Sequence, residues 1–379
     1  MHDLNDATIP LLLNSAVTLC IHTRAAYTGK DEPYLLYQAQ PMNLKTSQID
    51  WLNIFLMLLS AGLAFYLPFE LFLLAYAVLG PLHYLTEISW LHQRQFFTTS
   101  KYDFLWLVLF GVLLLLITFG PKIGITPTGP SWAANINYLA FIGALAMVLF
   151  RQWTSKWIFV LGAAILMAGL MRQSAYLIFF AIFLPTIVHV YLFTGAFILY
   201  GALKSRSKAG LLSFFVLIGC GVGLLLSTRF GSVTVDDNVR SKYELFALLN
   251  TAISHLLGWG QINVYESPQG WAIMRFIAFA YTYHYLNWFA KTSIIKWHQI
   301  SLKRAALITV LWLASVSLYF INYEMGFITL FTLSFLHVYL EFPLNHQCFI
   351  GIGRELKQRW PSRTPSALNK KQPALASRS

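Results

Sequence analysis

Ten runs of mainly apolar residues dominate this sequence, at 50–67, 69–92, 102–120, 132–150, 157–171, 174–203, 210–227, 268–290, 304–322 and 325–348. A run of about 20 such residues is what an α-helix needs to cross the hydrocarbon core of a bilayer. Lipid offers no hydrogen bonds to the backbone, so segments of this kind must satisfy their amides internally and fold as helices. The runs therefore predict an all-α fold, a polytopic transmembrane helix bundle of about ten spans. Composition agrees, since 57% of the 379 residues are apolar and only 11% are charged, a balance that water-soluble domains do not show.

Outside the runs the chain divides into a polar segment over 1–49, the helical domain over 50–350, and a basic tail over 351–379 whose Ser, Pro, Lys and Arg predict disorder. The first 48 residues have no short basic region leading into an apolar core, so the spans themselves are expected to direct insertion. Basic residues collect in every second connection: Arg94 and Lys101, Arg151 and Lys156, Lys204, Arg206 and Lys208, then Lys291, Lys296, Lys303 and Arg304. Such residues stay on the cytoplasmic side, which places both termini there. The expected location is an integral position in a bacterial inner (cytoplasmic) membrane. The net charge of +12 is read as this topology signal, with the tail touching anionic lipid, and not as a nucleic-acid surface. Three cysteines, Cys20, Cys220 and Cys348, share no metal-ligand spacing.

Against this apolar background four histidines stand out. His83, His189, His284 and His337 fall in the second, sixth, eighth and tenth runs, which descend in the same direction. Counting back at about 1.5 Å per residue from the basic residues that follow, all four are expected at comparable depth in the cytoplasmic half. Glu87 follows His83 by four residues and Glu341 follows His337 by four, a spacing that puts each pair on one helix face. A charged side chain at the bilayer centre costs at least about 2.5–3.5 kcal/mol, so these acids need compensation. A cation shared with the imidazoles supplies it. Imidazole and carboxylate are ligands of non-haem iron, and helices project them into a bundle core. Pro81, Pro185 and Pro343 lie close to His83, His189 and Glu341, and are expected to bend or open three of the four helices there.

Aromatic residues crowd the same region. The stretch YTYHYLNWF, Tyr281 to Phe289, surrounds His284, and Tyr84, Trp90, Tyr191 and Tyr339 flank the other histidines, as suits a long apolar or conjugated substrate. Tyr283, Asn287 and His298 are candidates for supporting the ligands or touching substrate, with helix–helix hydrogen bonding as the alternative for Asn287 and Asn345. Arg275, near the outer end of its run, is expected to snorkel.

No phosphate-binding Gly-rich loop, Gly-x-Ser-x-Gly elbow, His-Glu-x-x-His pair or desaturase-type His cluster occurs in the chain. The stretch GPLHYLTEI resembles the Gly-Leu-Pro-His-Gly-x-x-Asp-His signature of the Brp/Blh family of membrane β-carotene oxygenases, with His83 in the place of the first His and Glu87 in that of the Asp. The run YHYLNWFAKTSIIKWHQ is loosely similar to a later His-containing segment of that family, with His284 and His298 in corresponding roles. The resemblance implies an all-helical membrane protein that holds non-haem iron with histidines and uses dioxygen. Ile88 replaces the second His of the signature, and HVYLEFPLNH has no counterpart in it.

Two readings follow. In the first, His83, His189, His284 and His337 hold one or two iron ions for an oxygenase that acts on a carotenoid, isoprenoid or lipid. Glu87 and Glu341 are its catalytic carboxylates, either completing the coordination or fixing a ligand's tautomer. In the second, the His/Glu site belongs to a proton- or ion-coupled transporter, which requires polar residues strung from face to face.

Overall fold

A computed structural model of the protein describes residues 44–120, 130–231, 233–291 and 300–359. The polar segment before residue 44, His298 and the tail beyond residue 359 lie outside the described residues. Among these, every regular element is a helix: α1 Leu44–Tyr66, α2 Pro68–Gln93, α3 Phe104–Phe119, α4 Pro130–Leu149, α5 Trp153–Leu170, α6 Ser174–Ser205, α7 Lys208–Leu225, α8 Asp237–Tyr243, α9 Ala247–Leu256, α10 Pro268–Ala290, α11 Leu302–Ile321 and α12 Tyr323–Arg359. Each of the ten apolar runs coincides with one of them. Eight are long and apolar enough to cross a membrane, namely α1, α2, α4, α5, α6, α7, α11 and α12, and they mark an integral membrane protein.

The other two runs are exceptions with physical reasons. α3 is apolar throughout but has only 16 residues. α10 has 23 residues and carries Arg275, Thr282, His284 and Asn287 among others. It tolerates them because it faces neighbours and not lipid: from Ala272 to Tyr285 every residue is buried, with α1, α2, α6, α7 and α9 packed around it. Hydropathy reports exposure to lipid, and a helix enclosed by other helices is released from that demand.

The prolines act unequally. α2 widens into a π-helical turn at Ala75–Leu79, immediately before Gly80 and Pro81. α6 is π-helical over Phe179–Phe193, a stretch containing Pro185 and His189. Proline lacks the amide that an α-turn needs, and the wider register absorbs the loss. The interruption expected at Pro343 is absent, because α12 is one helix through it. That helix also runs past residue 350, where the sequence sets the start of the tail, as far as Arg359. Arg354, Glu355, Leu356, Lys357 and Gln358 all favour helix, and Lys357 and Arg359 suit its C-terminal dipole.

Two charged residues anchor the bundle. Arg275 does not snorkel. It is buried, and its guanidinium donates to Phe65 O at 3.0 Å and to Ser227 O and Oγ at 3.1 and 3.0 Å, while lying over the Phe65 ring. It thereby ties the end of α1 to the turn after α7, and carbonyls take the place of a carboxylate. Near the other end, the buried Lys156 of α5 donates to both Asp103 oxygens, at 2.8 and 2.7 Å, beside the start of α3. The α11–α12 hairpin depends on Gly326, where a Cβ would collide with the Tyr319 backbone.

Candidate metal centre

α2 and α10 meet in three successive rungs. His83 Nε2 lies 3.0 Å from His284 Nε2, the Tyr84 and Tyr285 hydroxyls share a hydrogen bond at 2.7 Å, and Trp288 Nε1 donates to Thr86 Oγ1 at 2.9 Å. α6 and α12 meet on the other side, with His189 Nε2 3.1 Å from His337 Nε2. The four rings close into a quadrilateral: their centroids are 4.7 Å apart for His83–His284, 4.9 Å for His284–His189, 5.0 Å for His189–His337 and 5.2 Å for His337–His83. Residues separated by up to 254 sequence positions, from His83 to His337, thus converge on one buried point. His83, His284 and His337 each present a ligand atom within 4.8 Å of the other two, a group able to hold a metal ion.

The two glutamates take different places. Glu87 Oε2 is 3.1 Å from His83 Nε2, the nitrogen that also faces His284. It therefore stands on the inner, ligand side of the ring. Glu341 Oε2 is 3.1 Å from His189 Nδ1, while the opposite nitrogen of that ring faces His337. It stands behind a ligand, where a carboxylate orients an imidazole toward a metal. Although Glu341 lies one turn beyond His337 on α12, its partner is on α6. The distances are short, yet Glu87 Oε2, Glu341 Oε2 and His189 Nδ1 are not aligned for hydrogen bonds, and the Nδ1 atoms of His83 and His337 have no partner either. Groups buried this deeply are normally satisfied; of these atoms Glu87 Oε2 stands on the side where the Nε2 atoms converge, and a cation held by the clustered imidazoles would pair with it there.

His284 differs from the other three in that its Nδ1 is 2.8 Å from Thr194 Oγ1. A donor Nδ1–H there leaves the Nε2 lone pair free for a metal. Tyr84 stacks on the His337 ring at 4.2 Å and limits its rotation. Trp288, 5.5 Å from His83, and Tyr285, 5.3 Å from it, close the aromatic wall.

The structure brings all four predicted histidines and both glutamates into one buried cluster, within which His83, His284 and His337 form the group placed to hold a metal ion. Tyr283 points elsewhere: its hydroxyl donates to Asn53 Oδ1 on α1 at 3.2 Å and lies 3.5 Å from Asn287 Oδ1. His346 bonds to the Phe141 carbonyl on α4 at 2.8 Å. Thr194 is the contributor that the sequence does not reveal. It follows His189 by five residues, a spacing that shares a face only in a π register, and Pro185 is the one hint of that register. At the end of α10, burial pulls the Lys291 ammonium down to about 8, against the favourable influence of Asp50 and Cys348.

Comparison of the chain with family models, with curated proteins and with solved structures gave no match.

Proposed function

We propose that the protein is a membrane oxygenase in which His83, His189, His284 and His337 hold non-haem iron, with Glu87 as a further ligand, and that its substrate is a long apolar molecule such as a carotenoid, isoprenoid or lipid. The observation carrying this reading is the convergence of His83, His284 and His337, whose ligand atoms lie within 4.8 Å of one another, with Glu87 Oε2 3.1 Å from His83 Nε2. A mixed imidazole and carboxylate set suits iron, which supplies the chemistry for dioxygen.

The chain's own residues do the rest. Thr194 holds the back nitrogen of His284, and the Glu341 carboxylate stands 3.1 Å from that of His189. Tyr84, Tyr285 and Trp288 form a wall that excludes bulk water and offers flat faces to a conjugated chain. A transporter is the less favoured reading, since the imidazoles and acids gather at one level of the bundle. The resemblance of GPLHYLTEI to the Brp/Blh signature points the same way.

Dioxygen uptake by iron-loaded protein in detergent or nanodiscs, given an apolar polyene, tests the activity. Substrate-dependent uptake that His284→Ala abolishes supports the oxygenase. Ion flux in proteoliposomes without dioxygen uptake overturns it.

A further inference from the structure

Two polar stripes leave the imidazole cluster toward the end of the bundle that carries Lys291 and Arg359. On α12 the stripe is His337, Glu341, Asn345 and Cys348, at intervals of four, four and three residues; on α10 it is His284, Asn287 and Lys291, at three and four. These spacings hold each set on one helix face. Glu341, Asn345, Cys348 and Asn287 are all buried. In the opposite direction, four and seven residues before each histidine, the same faces carry Ala280 and Ile277 on α10 and Leu333 and Leu330 on α12, all apolar and buried.

Asn345 is the decisive residue. It is 1% exposed, neither Nδ2 nor Oδ1 makes an aligned hydrogen bond, and the polar side chain it interacts with is Glu341, one turn back. A buried amide needs both a donor and an acceptor beside it, and a carboxylate serves only its N–H groups, so a residue of this kind inside a bundle implies a further polar companion. One turn away Glu341 Oε2 is in the same condition. Past Asn345 the Cys348 thiol lies within electrostatic reach of Lys291, and Lys291 within reach of Asp50, which accepts a 2.6 Å hydrogen bond from Ser207. α10 and α12 face each other across the cluster without close backbone packing.

We propose that Glu341, Asn345 and Cys348 line a water-filled corridor joining the imidazole cluster to the Lys291 end of the bundle. Asn345 needs both a donor and an acceptor, and water supplies both. The corridor gives the centre exchange with the aqueous phase on one side while the aromatic wall stays dry. It rests on the reading of the cluster as a metal centre, whose ligands its residues continue.

X-ray radiolytic labelling, which oxidises side chains beside internal water, tests this on the wild-type protein without substitution. Cys348 and Met274 are both buried sulfur-bearing residues, the latter facing Asn250 in the other half of α10. The corridor predicts oxidation of Cys348 at least ten times faster than of Met274. With the native cysteines replaced, Asn345→Cys should likewise be oxidised at least ten times faster than Leu330→Cys. Equal rates in the wild-type comparison overturn the corridor, whether or not the cysteine variants fold. Metal content measured on the same samples separates the two claims: bound metal with Cys348 protected removes the corridor and leaves the centre standing.

Discussion

Glu87 and Glu341 each follow a histidine by four residues, but the fold gives them opposite relations to the imidazoles. Glu87 shares the Nε2 side of His83, and Glu341 sits behind His189. Their substitutions should therefore differ. Glu341→Gln keeps a neutral acceptor behind His189 and should weaken metal binding about 10–100-fold, the usual effect of removing such an orienting carboxylate. Glu87→Gln should lose the ion. Competition against a calibrated chelator measures both, and equal losses would contradict the asymmetry. Thr194 gives a second case: Thr194→Ser should bind metal like the wild type, while Thr194→Val, which removes the bond to His284 Nδ1, should bind it about ten-fold more weakly. At this scale the histidines and glutamates were legible because ionisable groups in apolar helices are costly and so conspicuous. Thr194 was not, because threonine is inexpensive there. Nor did α-helical spacing reveal that Glu341 turns to α6, since spacing along one helix is silent about its neighbours.

At the scale of elements, apolar runs located ten helices because each span solves its backbone hydrogen bonding alone, although α1 begins at Leu44, before its run, and α12 continues past its own to Arg359. Polar residues misled where a tertiary partner decided the outcome. Arg275 read as a snorkelling residue because no carboxylate lies near it in sequence; the carbonyls of Phe65 and Ser227 replace one, and they belong to other elements. Lys156 read as a loop charge and is instead paired with Asp103 inside the packing of α3 and α5. Removing one member of such a buried pair leaves an uncompensated charge, at a cost of about 3–5 kcal/mol, whereas replacing both by apolar residues is close to neutral. Lys156→Met should accordingly lower thermal stability in detergent sharply, and Lys156→Met combined with Asp103→Leu should restore most of it. A double variant no more stable than the single would show that the pair matters for more than mutual neutralisation.

Across the whole molecule, α10, which carries Arg275, His284 and Asn287, is enclosed by other helices, and the peripheral helices carry the apolar surface. This arrangement lets α2, α6, α10 and α12 each turn one histidine toward a common centre while large apolar side chains cover much of the outer surface. The central claim is that these four helices bind one metal centre together. Elemental analysis of the purified protein tests it most directly, with wild type beside His83→Ala, His284→Ala and His337→Ala, each loaded with ferrous iron and then desalted. The account predicts stoichiometric iron in the wild type and at least a ten-fold loss in each variant. Wild-type protein that retains no metal, or variants that retain as much as the wild type, would contradict it.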